Sequence, residues 1–243
     1  SCLHDYWEET GDITVLTDLW PTAYTQLQQA ASQLDGAGVI VDRSTWWCFL
    51  DWKNGLNKQA GAQAIFLYAL KHGKALAKSL RDCSAYSQIT QWIRIVTEGS
   101  LRTLWDEKRG FFCSGEQKQI SWASQIWFIL SDVFNEENSS ALLNHLLQEN
   151  PAIRPVTPYL HHYLVEAFLH CGKRDAALAH LRTYWGGMIQ QGADCFWELY
   201  DPVDPSFSPY GSSLLNSYCH AWSCTPAFFI RKYGLDTITD GHV

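Results

Sequence analysis

Along most of this chain apolar side chains recur at steps of three and four, the period of a helix with one buried face. Asp12 to about Leu34 places Ile13, Leu16, Leu19, Tyr24 and Leu27 on one stripe, with Asp12 positioned as an N-cap. Gln59 to Leu80 is rich in Ala and Leu and predicts a second long helix, and about Ser84 to Leu104 a third. Further helices are predicted at about Ser121–Phe134, Glu136–Gln148, Pro158–His170 and Lys173–Met188, after a short one near Leu3–Thr10. A last helical stretch, about Ser212–Tyr233, is expected to bend near Pro226.

Between these stretches, short turns alternate with long segments that break the period. Asp82-Cys83-Ser84, Asn135 and Cys171-Gly172 are turns, while residues 35–58, 105–120, 149–157 and 189–211 are loops. A short strand is expected at Val39-Ile40-Val41 inside the first loop, and Gly110 and Gly115 turn the second. Helix, turn, helix, long loop is the rhythm of antiparallel helix pairs whose functional loops gather at one end. The expected fold is therefore all-α, an (α/α)6 toroid, with residues 1–243 as a single domain. Six pairs need twelve helices and the pattern yields eight or nine, so the toroid is expected to be incomplete at its N-terminus. Unpartnered apolar faces would then favour self-association.

Composition narrows the partners. A formal charge of −7 argues against nucleic acid, which needs a basic footprint. No apolar run reaches the length of a membrane span, so no membrane partner is expected. The N-terminus shows neither a secretory pattern nor an initiator Met, which suggests processing or excision from a longer chain. The eight cysteines are scattered without a C-x-x-C pair, and are read as mostly buried, reduced thiols of a cytoplasmic protein. Nucleophile elbows, phosphate loops and dinucleotide fingerprints are lacking, and no cofactor is expected. The aromatic content, 12 Trp, 11 Tyr and 11 Phe, exceeds what the helical stripes use. Many of these residues fall in loops, where their faces suit the C–H faces of pyranose rings.

Three segments could carry chemistry. In Phe196-Trp197-Glu198-Leu199-Tyr200-Asp201 a carboxylate sits between aromatic residues that would desolvate it. A turn-capping Glu is the plain alternative. In Phe49-Leu50-Asp51-Trp52, Asp51 could grip sugar hydroxyls through two acceptor oxygens, or serve as an Asx turn before Gly55. In Cys219-His220-Ala221-Trp222-Ser223, His220 could donate to a substrate or to Glu198, or be a core histidine. Glycoside hydrolysis needs two carboxyl groups. Glu198 offers one, and Asp51, Glu8, Glu9 and Asp42 are weaker seconds. Cys219 and His220 with Cys171, Cys195 or Cys224 could also ligate zinc, the basis of a competing cyclase or transferase reading. A noncatalytic carbohydrate-binding module is a third.

These segments together resemble the catalytic barrel of family 78 glycoside hydrolases, the bacterial α-L-rhamnosidases. The resemblance rests on Glu9-Thr10-Gly11-Asp12, on Val41-Asp42 through Phe49-Leu50-Asp51-Trp52, and on Thr157-Pro158-Tyr159. It continues through Trp185-Gly186-Gly187-Met188, Phe196-Trp197-Glu198, Tyr210-Gly211 and Ser217 to Ser223, in order. It implies inverting hydrolysis of terminal α-L-rhamnosides, with Glu198 as general base and no bound metal. It also implies that Asp51 and Trp52 line the sugar subsite and that His220 and Trp222 form its closing side. The sugar-binding composition shared by these distant segments further predicts that Trp46, Trp47, Asp51, Trp52, Trp197, Glu198, His220 and Trp222 line one concave surface, with Asp42 a further substrate-binding candidate. The family's general acid lies upstream of the Thr-Gly-Asp segment, so these residues alone are expected to turn over little.

Overall fold

The computed structural model describes residues 1–42, 48–204 and 206–235. Nine α-helices run through the described residues, and the only sheet among them is a two-residue hairpin. The all-α expectation is met. No helix among them is long and apolar enough to cross a membrane. Internal contacts gather the chain into two compact units, Ser1–Cys48 with Asn57–Pro151, and Phe49–Leu56 with Ala152–Val243.

The first unit holds α1 (Cys2–Thr10), α2 (Ile13–Ala31), α3 (Gln59–Ser79), α4 (Cys83–Gly99), α5 (Trp122–Leu130) and α6 (Glu136–Glu149). Side chains fix where these helices start, because the first turn has backbone N–H groups with no helical partner. Asp12 accepts from the amides of Thr14 and Val15, Asp82 from Ala85, Ser121 from Ser124 and Asn135 from Asn138. α3 buries Phe66, Leu67 and Leu70 along its stripe, and packs against α2, α4 and α5. The third predicted helix stops earlier as an α-helix, at Gly99, and continues to Leu104 as a π-helical turn.

Two buried glutamines add side-chain bonds to the free edges of short paired segments. The strand expected at Val39-Ile40-Val41 is reduced to a single bridge between Leu34 and Ile40. The other edge of this segment is held by Gln63 on α3, whose side chain accepts from the Ile40 amide at 2.8 Å and donates to the Gly38 carbonyl at 2.8 Å. Gly38 has φ +78°, and a Cβ there would stand 2.7 Å from the Ile95 carbonyl oxygen, so only glycine fits this crossing. Likewise Gln125 on α5 exchanges two 2.9 Å hydrogen bonds with the Phe112 backbone. That holds the hairpin of β1 (Trp105–Asp106) and β2 (Phe111–Phe112).

The second unit contains α7 (Pro158–His170), α8 (Arg174–Gln190), two 3-10 turns at Ser213–Leu215 and Ala221–Ser223, and α9 (Thr225–Tyr233). The single helix expected over Ser212–Tyr233 does not form. Asn216 and His220 are extended, and Pro226 sits at the start of α9, where its missing N–H costs nothing, instead of bending a longer helix. The cysteine expectation also needs correcting. Only Cys113 and Cys171 are buried, whereas Cys2, Cys83, Cys219 and Cys224 are exposed.

Candidate active site

The second unit brings three sequence-distant segments together around Glu198. Asp51 anchors the first. Only 5% exposed, it accepts from the Val156 amide at 2.8 Å, the Thr157 amide at 3.0 Å, the Thr157 hydroxyl at 2.7 Å and the Trp52 amide at 3.0 Å. Thr157 is the N-cap of α7, so this carboxyl fastens residues 49–52 to the start of that helix. The two oxygens that the sequence offered to sugar hydroxyls are taken by the protein itself. Burial pushes the Asp51 pKa up to about 6 against the opposing pull of its hydrogen bonds, Thr157 first among them.

Once fastened, the segment presents its aromatic residues. Phe49 stacks on Trp222 at 5.7 Å and meets Trp52 and Tyr159 edge-on at 5.1 and 5.2 Å. Trp52 in turn meets Tyr210 edge-on at 6.0 Å. The Trp52 indole nitrogen is buried and has no hydrogen-bond partner among the described residues.

Glu198 is 7% exposed and held from every side. Its amide donates to the Ser217 carbonyl at 2.8 Å, and the Ser217 amide donates back to Oε2 at 2.9 Å. The Tyr210 hydroxyl donates to Oε1 at 2.5 Å, the length of a hydrogen bond to a charged oxygen. That bond, with burial and the carboxylate's charge, raises the tyrosine pKa. Trp222 donates from its indole nitrogen to the Glu198 carbonyl at 2.8 Å, which fixes the backbone too. Tyr210 is itself positioned by its amide on Ser208 Oγ at 3.1 Å.

His220 does not bond to Glu198 through any ring nitrogen. Its Nδ1 accepts from the Trp222 amide at 3.4 Å, and its ring lies 4.5 Å from the Trp222 ring. An accepting Nδ1 leaves Nε2 as the protonated nitrogen, a donor for whatever faces it. Trp197 turns its ring to Tyr200 and Tyr218, at 6.0 and 5.4 Å, while its carbonyl accepts from Ser223 Oγ. Of the residues expected to share one surface, Trp52, Glu198, His220 and Trp222 are joined through the contacts above. Asp42 belongs to the first unit, where it is exposed and accepts from Asn57 Nδ2 at 2.9 Å. Trp46 and Trp47 lie outside the described residues.

Four residues of this arrangement had no role assigned from sequence: Phe49, Tyr159, Tyr210 and Ser217. All four stood in the segments that carried the family resemblance, which was the available signal. Ser217 acts through its backbone, which no residue type reveals. As for zinc, Cys219 and His220 do not gather a third ligand among the described residues. The three ligand-type side chains that do meet there are His4, Asp5 and His72 in the first unit.

Helical hairpins carrying a hydrogen-bonded carboxylate among loop aromatics define the hairpin class of glycosidases. Within it, residues 1–233 match the model of the bacterial alpha-L-rhamnosidase 6 hairpin glycosidase domain, and the chain belongs to that family. A rhamnosidase from Klebsiella oxytoca solved with rhamnose bound is 44% identical, with a TM-score of 0.92 over 96% of this chain and 45% of its own. A family 78 rhamnosidase from a Bacillus species, 21% identical, has a TM-score of 0.81 over 94% of this chain and 25% of its own. A family 63 mannosylglycerate hydrolase from Thermus thermophilus, in complex with glucose, is 19% identical, with a TM-score of 0.52 over 71% of this chain and 45% of its own. These last two speak for the fold alone. The chain thus spans under half the length of the Klebsiella rhamnosidase and a quarter of the Bacillus one. Among curated proteins, no match was found.

Proposed function

We propose that these residues form the base side of an inverting α-L-rhamnoside hydrolase, with Glu198 as the general base. The observation that carries this reading is the Glu198 carboxylate, buried yet held by Tyr210 and the Ser217 amide in one orientation. Two donors on two oxygens fix the direction of the carboxyl and leave lone pairs for a water. Trp52, Trp222 and Tyr159 supply faces for the C–H side of a pyranose, and the His220 Nε2–H supplies a donor for its hydroxyls. Trp197 supports the backbone beside the base, and Asp51 positions the aromatic segment. Trp46, Trp47 and Asp42, substrate-binding candidates by sequence, stay proposed as sugar contacts.

Inversion requires a second carboxyl group about 6.5–9.5 Å from the base, to protonate the leaving oxygen. Asp51 is a poor candidate, because both its oxygens are committed to residues 52 and 156–157. With one carboxylate so placed among the described residues, we expect these 243 residues alone to turn over little, and the activity to need both groups.

The test is hydrolysis of an aryl α-L-rhamnoside by the whole protein and its Glu198→Gln variant. Loss of the base should lower kcat by about 10²–10⁴-fold with rhamnose affinity retained. Undiminished turnover in the variant would remove Glu198 from the mechanism. Rhamnose binding without turnover in the whole wild-type protein would instead mark a binding module.

A further inference from the structure

Two thiols bracket the strand-like pair of segments that holds Glu198. Cys195 precedes the Phe196-Trp197-Glu198 segment, and Cys219 follows Ser217, whose amide grips Oε2. The two segments run side by side through Glu198 N–H to the Ser217 carbonyl at 2.8 Å and His220 N–H to the Phe196 carbonyl at 2.9 Å. That pairing brings the Cys195 and Cys219 sulfurs to 2.6 Å of each other. Both thiols are free, with Cys219 exposed and Cys195 half-buried, so a reagent in solvent can reach the pair.

We propose that Cys195 and Cys219 form a reversible disulfide that clasps the loop carrying Glu198, with a low-molecular-weight disulfide such as oxidised glutathione as oxidant. The Cys219 thiolate attacks one sulfur of that disulfide. The S–S bond breaks, and one glutathione leaves as thiolate with the electron pair. Cys195 then gives up its proton and attacks Cys219 in the mixed disulfide, expelling the second glutathione. Two cysteine thiols have lost two electrons and two protons, and the small disulfide has gained both. Cys219 goes first because it is the more exposed sulfur. The thiol beside Cys195 also raises that group's pKa, which keeps its thiolate scarce. Oxidation should accordingly quicken with rising pH.

The experiment is to equilibrate the full chain with oxidised glutathione, alkylate the remaining thiols, and map the peptides by mass. The expected result is a peptide pair joined through Cys195 and Cys219, about 2 Da lighter than the two thiol peptides, and reopened by dithiothreitol. Closing this loop also narrows the unfolded ensemble, so the oxidised chain should melt roughly 5–10 °C higher than the reduced one. Cys219→Ser should abolish both changes and leave Cys195 as a glutathione adduct. The proposal is overturned if both thiols remain open to alkylation, if each ends as a separate glutathione adduct, or if either pairs with another cysteine.

Discussion

The helical stack of the first unit and the 193–224 segment of the second solve the same problem, fixing one conformation, by opposite means. In α3, α4 and α5 the order comes from apolar area. Leu67, Leu70, Ile89, Val96 and Ile126 are wholly buried, and a period of 3.6 puts them there. The 193–224 segment has short 3-10 turns in place of a long helix and leaves Leu214 88% exposed. Its shape is held by individual polar bonds: Ser217 to Glu198, Trp222 to Glu198, Ser223 to Trp197, and Ser208 under Tyr210. Apolar packing tolerates exchange of one methyl-bearing residue for another, whereas a polar bond requires one donor at one place. A catalytic carboxylate needs the second kind of order.

If that contrast is right, substitutions in the two regions should separate stability from activity. The largest effect on stability should come from the stack. Leu67→Ala removes a fully buried side chain from α3 and should cost about 2–5 kcal/mol in urea unfolding. A cost under about 1 kcal/mol would show that the stack is held otherwise. Next comes Asp51→Ala, which leaves the Val156 and Thr157 amides without their acceptor and should cost about 2–4 kcal/mol.

Asp51 also sets a pH dependence. Its folded pKa, about 6, lies above its ordinary value of 3.8, so the folded chain holds this proton more tightly than the unfolded one. Its contribution is full below about pH 4 and is lost as pH rises through 6, up to ~3 kcal/mol in all. Burial acts oppositely on three histidines of the same unit. It lowers His162 and His180 to about 4 and also holds His161 well below its ordinary value, so their contribution is lost as pH falls below 6.5. Subtracting the unfolding free energy of Asp51→Asn from that of the wild type, pH by pH, isolates the carboxyl. The difference should fall between pH 4 and 6.5, and a flat difference would mean that Asp51 is already ionised at pH 4.

The smallest stability effect and a clear activity effect should come from Tyr210→Phe. It removes one bond to Glu198 from a half-exposed side chain, so unfolding should shift by less than about 1 kcal/mol while kcat falls about 10-fold. Equal losses in both would make Tyr210 structural.

The same contrast explains what could be read from sequence. Asp12, Asp82, Ser121, Asn135 and Thr157 cap helices where the pattern of residues placed helix starts to within a residue or two, because capping is local chemistry. Glu198 stood out because its neighbours in sequence are aromatic. The role of Asp51 was hidden, since its partners lie more than a hundred residues away, at 156 and 157. The helix expected over Ser212–Tyr233 failed for a related reason. Its apolar residues Leu214, Leu215 and Tyr218 fit a helical stripe but have no core to face, and are exposed.

In α5 every residue from Trp122 to Leu130 is buried, so the helix has no side facing water. A helix with a wet face can breathe a turn at a time, exposing its amides while the rest stays folded. α5 has no such partial route, since uncovering any one of its amides means parting the packed neighbours. Deuterium should therefore enter these nine amides last and together, at a rate set by the opening of the whole first unit. The amides of Glu198, Ser217 and His220, each held by a single bond outside any long helix, should fill early and at separate rates.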